Sequence, residues 1–353
     1  MVTFAQSRAI REDYLARLDR LETAAVRDMQ RQYLAVAKRI EDEIAQVLDN
    51  PNLAQRAVAE LFTTDPQTAQ IAILQGRAEY IREQLLRFSQ QQVAALSPLT
   101  ASVVAVGIKS GEAQLARIAG SFTSPNRRMI ENLVATLQPG AAEYEYWTRF
   151  AADTTSRALD TLTQGVIMGN HPSKIARDMR DKVVVQGSRL RTAVRTQIMN
   201  SARAATGAVY LENADIIPAL VWTCVEDANT CAICWAMNGT VMMLGDEIES
   251  HPNCRCEALP MLEEDRPDGG FGEQMFDPDD RFQEVLSVDE QIKVLGPSKY
   301  ALYNEGKVAL PDLVRRTTHP TWGNGRAGVS LRELADRGVV PDVPIERVAK
   351  RRL

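Results

Sequence analysis

Apolar side chains recur every three or four residues between positions 8 and 48, at Ile10, Tyr14, Leu18, Leu21, Ala25, Met29, Tyr33, Val36, Ile40, Ile44 and Val47. That spacing keeps them on one stripe of a long helix, and no Gly or Pro interrupts it before Asn50-Pro51. A helix cannot bury such a stripe by itself. The pattern therefore predicts a helical hairpin with residues 66–96, with an arm docked on a partner as the other solution. Helical patterning continues to about residue 215, with breaks expected at Ser97-Pro98, Gly107 to Gly111, Ser124-Pro125 and Pro139-Gly140. The uncharged window Phe88–Ile108 carries Gln90, Gln91, Gln92, Ser97, Pro98 and Ser102. It is too polar for a comfortable bilayer span and is expected to be a buried helix–turn–helix.

A further helix should begin near Ala141 and end at Gly165 or Gly169, followed by the loop Asn170-His171-Pro172-Ser173 with Ser173 as N-cap. The next helix places Ile175, Met179 and Val183 on one side, and the mixture of Arg and small apolar residues continues from Arg189 to Tyr210. The pattern changes at Ile216-Ile217-Pro218. Leu220–Thr223 reads as a short strand, and Asn238-Gly239 reads as a turn into a second strand over Thr240–Met243. Glu263–Asp280 is acidic and rich in Pro and Gly, which predicts a linker. Short helices should follow, separated by Gly296-Pro297, Pro311 and the loop from His319 to Gly325. The fold class is thus mainly α: long N-terminal helices and a helical body, a small α+β zinc-knuckle module, and a short helical C-terminal region. The expected segments are 1–120, a helical arm or hairpin; 121–219, a helical body with basic helices; 220–262, the Cys/His module; 263–287, an acidic linker; and 288–353.

Composition alters this picture little. Of 353 residues, 45% are hydrophobic, 25% charged and only 6% aromatic, which fits a folded helical protein better than a β sandwich. The net charge of −5 conceals an uneven distribution. Residues 174–203 hold eight Lys or Arg against two acids, whereas 257–290 hold twelve acids against two arginines. The basic stretch is either a solvated face or a docking surface for phosphate or an acidic protein. No secretory pattern opens the chain, so a cytoplasmic setting is expected.

The chemistry concentrates in one segment. Cys231-Ala232-Ile233-Cys234 is followed, sixteen residues later, by His251-Pro252-Asn253-Cys254-Arg255-Cys256. Two Cys separated by two residues can present both thiolates to one ion, and the second cluster supplies the remaining donors. Zn²⁺ suits such a set because it accepts sulfur and imidazole without redox chemistry. Cys231, Cys234 and Cys256 are the firmest ligands, with His251 and Cys254 competing for the fourth position. A Cys231–Cys234 disulfide lacks the surrounding βαβ pattern of a redox motif, and separate buried thiols would account for Cys224 but not for the cluster. A catalytic set is missing: the chain has no His-Glu-x-x-His, no Gly-Lys-Ser/Thr phosphate loop and no Gly-x-Ser-x-Gly elbow. His171 and His319 each precede a Pro, as turn residues do.

Several of these residues resemble a known family. Trp222-Thr223, Asp227 to Cys234, Asn238-Gly239 and His251 to Cys256 are similar to the signature of phage minor head proteins, also called phage Mu F-like or head morphogenesis proteins. Ala193-Val194-Arg195-Thr196-Gln197, with Asn200 and Ala204, resembles the family's Arg-Thr-Glu helix, Gln197 replacing the usual acid. Gln291 to Tyr300 and Asn304-Glu305-Gly306 also look like family sequence, so the resemblance covers roughly 150–320. It implies a non-enzymatic protein of a tailed phage or phage-derived particle, located in the virion head or portal region and in host cytoplasm during assembly. The implied partner is the portal oligomer. Capsid or scaffolding proteins, and DNA through residues 174–203, are further candidates, with a role in genome ejection and no membrane. The alternatives are a metal-dependent phage-associated nuclease and a zinc-containing nucleic-acid binder.

Overall fold

The computed structural model describes residues 4–48, 66–137, 141–168, 170, 172–266, 270–319 and 323–338. The expected breaks at Asn50-Pro51 and Pro139-Gly140, together with Gly169, His171, Asp268-Gly269 and the basic end at Lys350 to Arg352, lie outside the described residues. Helix predominates, as the periodicity predicts. The chain divides into two compact units.

One unit comprises Asp13–Gly107 and Asn126–Ala202. Its elements belong to α1 (Phe4–Leu48), α2 (Pro66–Ile118), α3 (Arg127–Val134), α4 (Ala142–Ile167) and α5 (Pro172–Leu211). Leu18, Val26 and Met29 of α1 pack with Val93, Leu96 and Val103 of α2, Trp147 of α4, and Leu190, Val194 and Ile198 of α5. The expected hairpin partner of α1 is met where Tyr33 lies edge-on to Phe88 at 4.8 Å between ring centres. Much of the stripe is therefore covered within the chain. Glu22 sits on the same face, and Arg195 neutralises it with a two-pronged contact, Nε and Nη2 donating at 2.6 and 2.8 Å. A paired charge can be buried where a lone one cannot.

Two expected breaks do not occur. The α2 helix runs through Pro98 and through Gly107 to Gly111. Pro98 forfeits a backbone hydrogen bond, at a cost of about 3 kcal/mol, yet Val93, Leu96 and Val103 on either side are buried in the core and hold the helix together. Gly111 serves close packing: a Cβ there would stand 2.9 Å from Cβ of Val209. Val93–Ile118 is long and apolar enough to cross a membrane, with a mean hydropathy of 1.5. Of that window, 44% is buried inside the protein.

The α4 helix likewise runs past Gly165, the earlier of its two expected ends. A Cβ on Gly165 would lie 2.6 Å from Cγ1 of the buried Ile175, so this glycine admits a neighbouring helix. Gly165→Ala gains about 1 kcal/mol of helix propensity but incurs an overpacking cost of about 1–3 kcal/mol. A net loss of about 1 kcal/mol is expected in urea titration, and a midpoint at or above the parent's would refute the close approach. The following helix starts at Pro172, placing Ser173 inside its first turn and not at the N-cap. Proline fits the first helical position because its missing N–H is not needed there.

The second unit comprises the described residues of Met1–Glu12, Ile108–Pro125 and Arg203–Leu353. An antiparallel sheet of order β2-β1-β3 forms its centre, from β1 (Ala219–Thr223), β2 (Val241–Met243) and β3 (Glu257–Met261). Leu220 opposes Met242 on one side and Pro260 on the other. β1 and β2 fall where the sequence places them, but β3 was not foreseen. Between β1 and β2 lies the short helix α6 (Ala232–Ala236), whose Trp235 is completely buried. The second half of the expected linker is folded instead: α7 (Pro278–Val285) sends Phe282 into the interior, 5.2 Å from Trp235 and 5.7 Å from Tyr303. Aromatic burial outweighs the local acidity. Helices α8 (Val288–Leu295) and α9 (Pro297–Asn304) follow as expected. Beyond them, where only short helices and a loop from His319 to Gly325 are expected, the chain instead forms an antiparallel ribbon of β4 (Val314–His319) and β5 (Gly323–Gly328), followed by α10 (Leu331–Asp336).

Candidate metal centre

Asp227 shapes the entry to the site. Its carboxylate accepts from the Asn229 N–H at 3.0 Å and from the Thr230 hydroxyl at 2.9 Å, closing a turn that delivers Cys231 to the start of α6. Cys234 follows one helical turn later, so both sulfurs share a face. On the opposing loop, Asn253 adopts φ of 68°, a left-handed conformation that Asn tolerates better than most residues. The resulting tight turn, with the Cys254 N–H donating to the His251 carbonyl at 3.2 Å, brings His251 and Cys254 to one side.

All five sequence candidates converge. His251 Nε2 lies 3.0 Å from Cys231 Sγ and 3.1 Å from Cys234 Sγ, and Cys234 Sγ lies 3.6 Å from Cys254 Sγ. Cys231, Cys234 and His251 form one donor group with ligand atoms within 4.8 Å of one another, and Cys234, Cys254 and Cys256 form another. Cys234 belongs to both. His251 Nδ1 contacts the Pro252 carbonyl at 2.8 Å, the outer bond that fixes a ligating imidazole with Nε2 free for a metal. Cys224 stands apart, as its sequence position suggests; it is fully buried, and burial pushes its thiol up to about 12.

The electrostatics suit a cation. The Cys231 thiol is drawn down to about 5, first by a hydrogen bond with Cys234 and then by His251, against the opposing effect of burial. His251 moves up to about 9: burial works against its charge, and the contact with Cys231 prevails. Cys254 is lowered chiefly by its contact with Cys234, with the Arg203 charge assisting, while burial holds Cys256 as a thiol. Crowded sulfurs in a dry pocket can all ionise only if positive charge joins them. The donor set therefore fits a metal ion with an affinity for sulfur and nitrogen; Cys231, Cys234, His251, Cys254 and Cys256 are the residues that could hold it.

The sequence reading missed the groups that support this set. Arg203 of α5, counted there among the basic docking residues, instead donates to the carbonyls of Cys256 at 2.7 Å and Cys254 at 3.1 Å and to Ser250 Oγ at 3.1 Å. Arg255, between the last two cysteines, clamps Asp227 with both Nη atoms at 2.6 and 3.0 Å. Glu226 is held by Arg8 at 2.6 Å, Asn238 at 2.8 Å and Arg281 at 2.9 Å. Arg11 donates to the Cys224 carbonyl at 3.0 Å. These partners are distant in sequence, and no spacing rule points to them.

Burial would raise the Glu226 carboxyl, but Arg281, Asn238 and Arg8 bring it below its ordinary 4.5. A depressed carboxylate stabilises the fold above the unfolded value and loses that contribution as pH falls through the folded one. Glu226→Gln should therefore be less stable than the parent at pH 7, and the gap should narrow as pH falls below 4.5. Urea titrations of both proteins at several pH values test this; a gap independent of pH would refute it.

Together these features define a mainly helical protein whose C-terminal unit is built around a compact Cys/His module. Residues 157–259 match the family described as Phage Mu protein F like protein. The matched region contains all five donors and Arg203. No curated protein and no solved structure matches the chain.

Proposed function

We propose that this chain is a non-enzymatic head morphogenesis protein of a tailed phage or phage-derived particle, that it associates with the portal oligomer during head assembly, and that its Cys/His module holds one structural Zn²⁺. The observation that carries the reading is that the family-matched region ends on this module and contains its entire donor set. Both donor groups consist of Cys and His alone among the described residues. Five such donors can complete a tetrahedron, leaving no position for a reacting water, and this favours a structural ion over a nuclease metal. The nucleic-acid reading of residues 174–203 draws less support, because Arg195 neutralises Glu22 and Arg203 holds the metal-site loop.

The test is co-expression of the tagged, full-length chain with a portal protein from the same genome, followed by purification and sedimentation. Co-migration with the portal ring is expected in the absence of DNA. A chain that leaves the ring entirely, or that binds DNA with a steep salt dependence while ignoring the portal, would overturn the assignment. Deleting α1 is not a clean variant, because Leu18, Val26 and Met29 are part of the core.

A further inference from the structure

We propose that the β4–β5 ribbon, which lies beyond the family-matched region, is a positioning element for the metal centre that fixes the His251 imidazole against Cys231 and Cys234. The proposal rests on the metal reading above. Its basis is three consecutive residues, Glu249, Ser250 and His251, each committed to a different contact. The Glu249 carboxylate reaches Arg326 at 2.8 Å and Arg316 at 3.3 Å. Arg316 and Arg326 are direct cross-strand partners, so a single carboxylate fastens both strands of the ribbon to the loop. The Ser250 backbone carbonyl lies so close to Gly325 that a Cβ there would approach its oxygen to 2.5 Å. Backbone, unlike the tip of a long side chain, cannot give way to such a contact. His251 then presents Nε2 to the two sulfurs.

The opposite side of the loop is already fixed, with Arg203 on Ser250 Oγ and on the carbonyls beside the last two cysteines. The loop is therefore held between α5 and the ribbon, which fixes the backbone from which the imidazole reaches Cys231 and Cys234. A ligand positioned in this way gains affinity because less freedom is lost when the metal binds. Outer contacts of this kind are typically worth about 10- to 100-fold in metal affinity. The exposed Arg316 contributes little by itself; Gly325 and the half-buried Arg326 carry the effect.

The experiment uses the full-length protein loaded with Zn²⁺ and, in parallel, with Co²⁺. Gly325→Ala and Arg326→Gln should each release Zn²⁺ to a chelator about tenfold faster or more, with tryptophan fluorescence unchanged before release. The Co²⁺ bands should move to longer wavelength as thiolate replaces imidazole, a change that loosening of the ribbon alone would not produce. In a His251→Ala background, Gly325→Ala should accelerate release no further, since the two residues act through one contact. If Gly325→Ala does not fold, Arg326→Gln carries the same expectations. Release rates and Co²⁺ spectra equal to the parent's, or acceleration that persists without His251, would overturn the positioning role. A parent chain that takes up neither Zn²⁺ nor Co²⁺ would instead refute the metal centre, and the positioning role with it.

Discussion

Cys234→Ala is expected to empty the chain of metal and to unfold the module around it, the largest effect of any single substitution considered. Cys234 is the donor common to both groups, so its removal leaves neither group complete. Structural Zn²⁺ supplies on the order of 10 kcal/mol of folding free energy at neutral pH. In its absence His251 and the remaining cysteines crowd a dry pocket with no shared cation. Metal analysis should show about one ion per parent chain and none in the variant. Amide exchange should accelerate across 219–261 while the helical unit around Trp147 and Val194 stays protected. Cys224→Ala is the matched control: its thiol lies outside both donor groups and should leave metal content unchanged. Full metal retention by Cys234→Ala would sink the assignment. Acid should release the ion even from the parent, because the ligands bind as thiolates and neutral imidazole and protons compete for them.

Trp235→Ala should follow in size, at about 3–5 kcal/mol, the usual cost of removing a fully enclosed aromatic side chain. Trp235 is completely buried beside Cys234 and meets Phe282 edge-on, and Phe282 in turn meets Tyr303 at 90°. The three rings join α6, α7 and α9 without contributing a ligand. Truncation should therefore lower the urea midpoint and the thermal midpoint, the latter by on the order of 10 °C. It should also separate packing from coordination, since the variant retains all five donors. A loss below about 1 kcal/mol would mean that the cavity collapses, and that this cluster does not support the unit.

Much of the candidate site was legible in the sequence, because thiol pairs at fixed spacing state their chemistry before any fold is known. The same holds for β1 and β2, where short apolar runs and an Asn-Gly turn act locally, and for the stripe of α1. The failures share a different cause. Pro98 and Gly111 signal a break in isolation, yet tertiary packing keeps α2 continuous through both. The acidic stretch before Ser287 looks like a linker unless Phe282 is known to have Trp235 waiting for it. Strand β3 follows directly on the last cysteine and carries Glu257, Ala258 and Pro260, residue types that strands disfavour, so nothing local announces it. Arg203 and Arg195 read as surface charge because a sequence does not reveal which arginines have a carboxylate or a row of carbonyls opposite them.

The contacts of Arg8 and Arg11 have a consequence in time. These two residues lie near the start of the chain, and their partners are Glu226, the Cys224 carbonyl and Glu257. A ribosome adding about 5–20 residues per second must work for on the order of tens of seconds between making the two sides. Throughout that interval the first turns of α1 carry guanidinium groups destined for the interior with nothing to receive them. The C-terminal unit is therefore completed by closing a late segment of the polypeptide onto a much earlier one. Its folding rate should be limited by that long loop closure, whereas the core of the other unit can begin to assemble on the nascent chain.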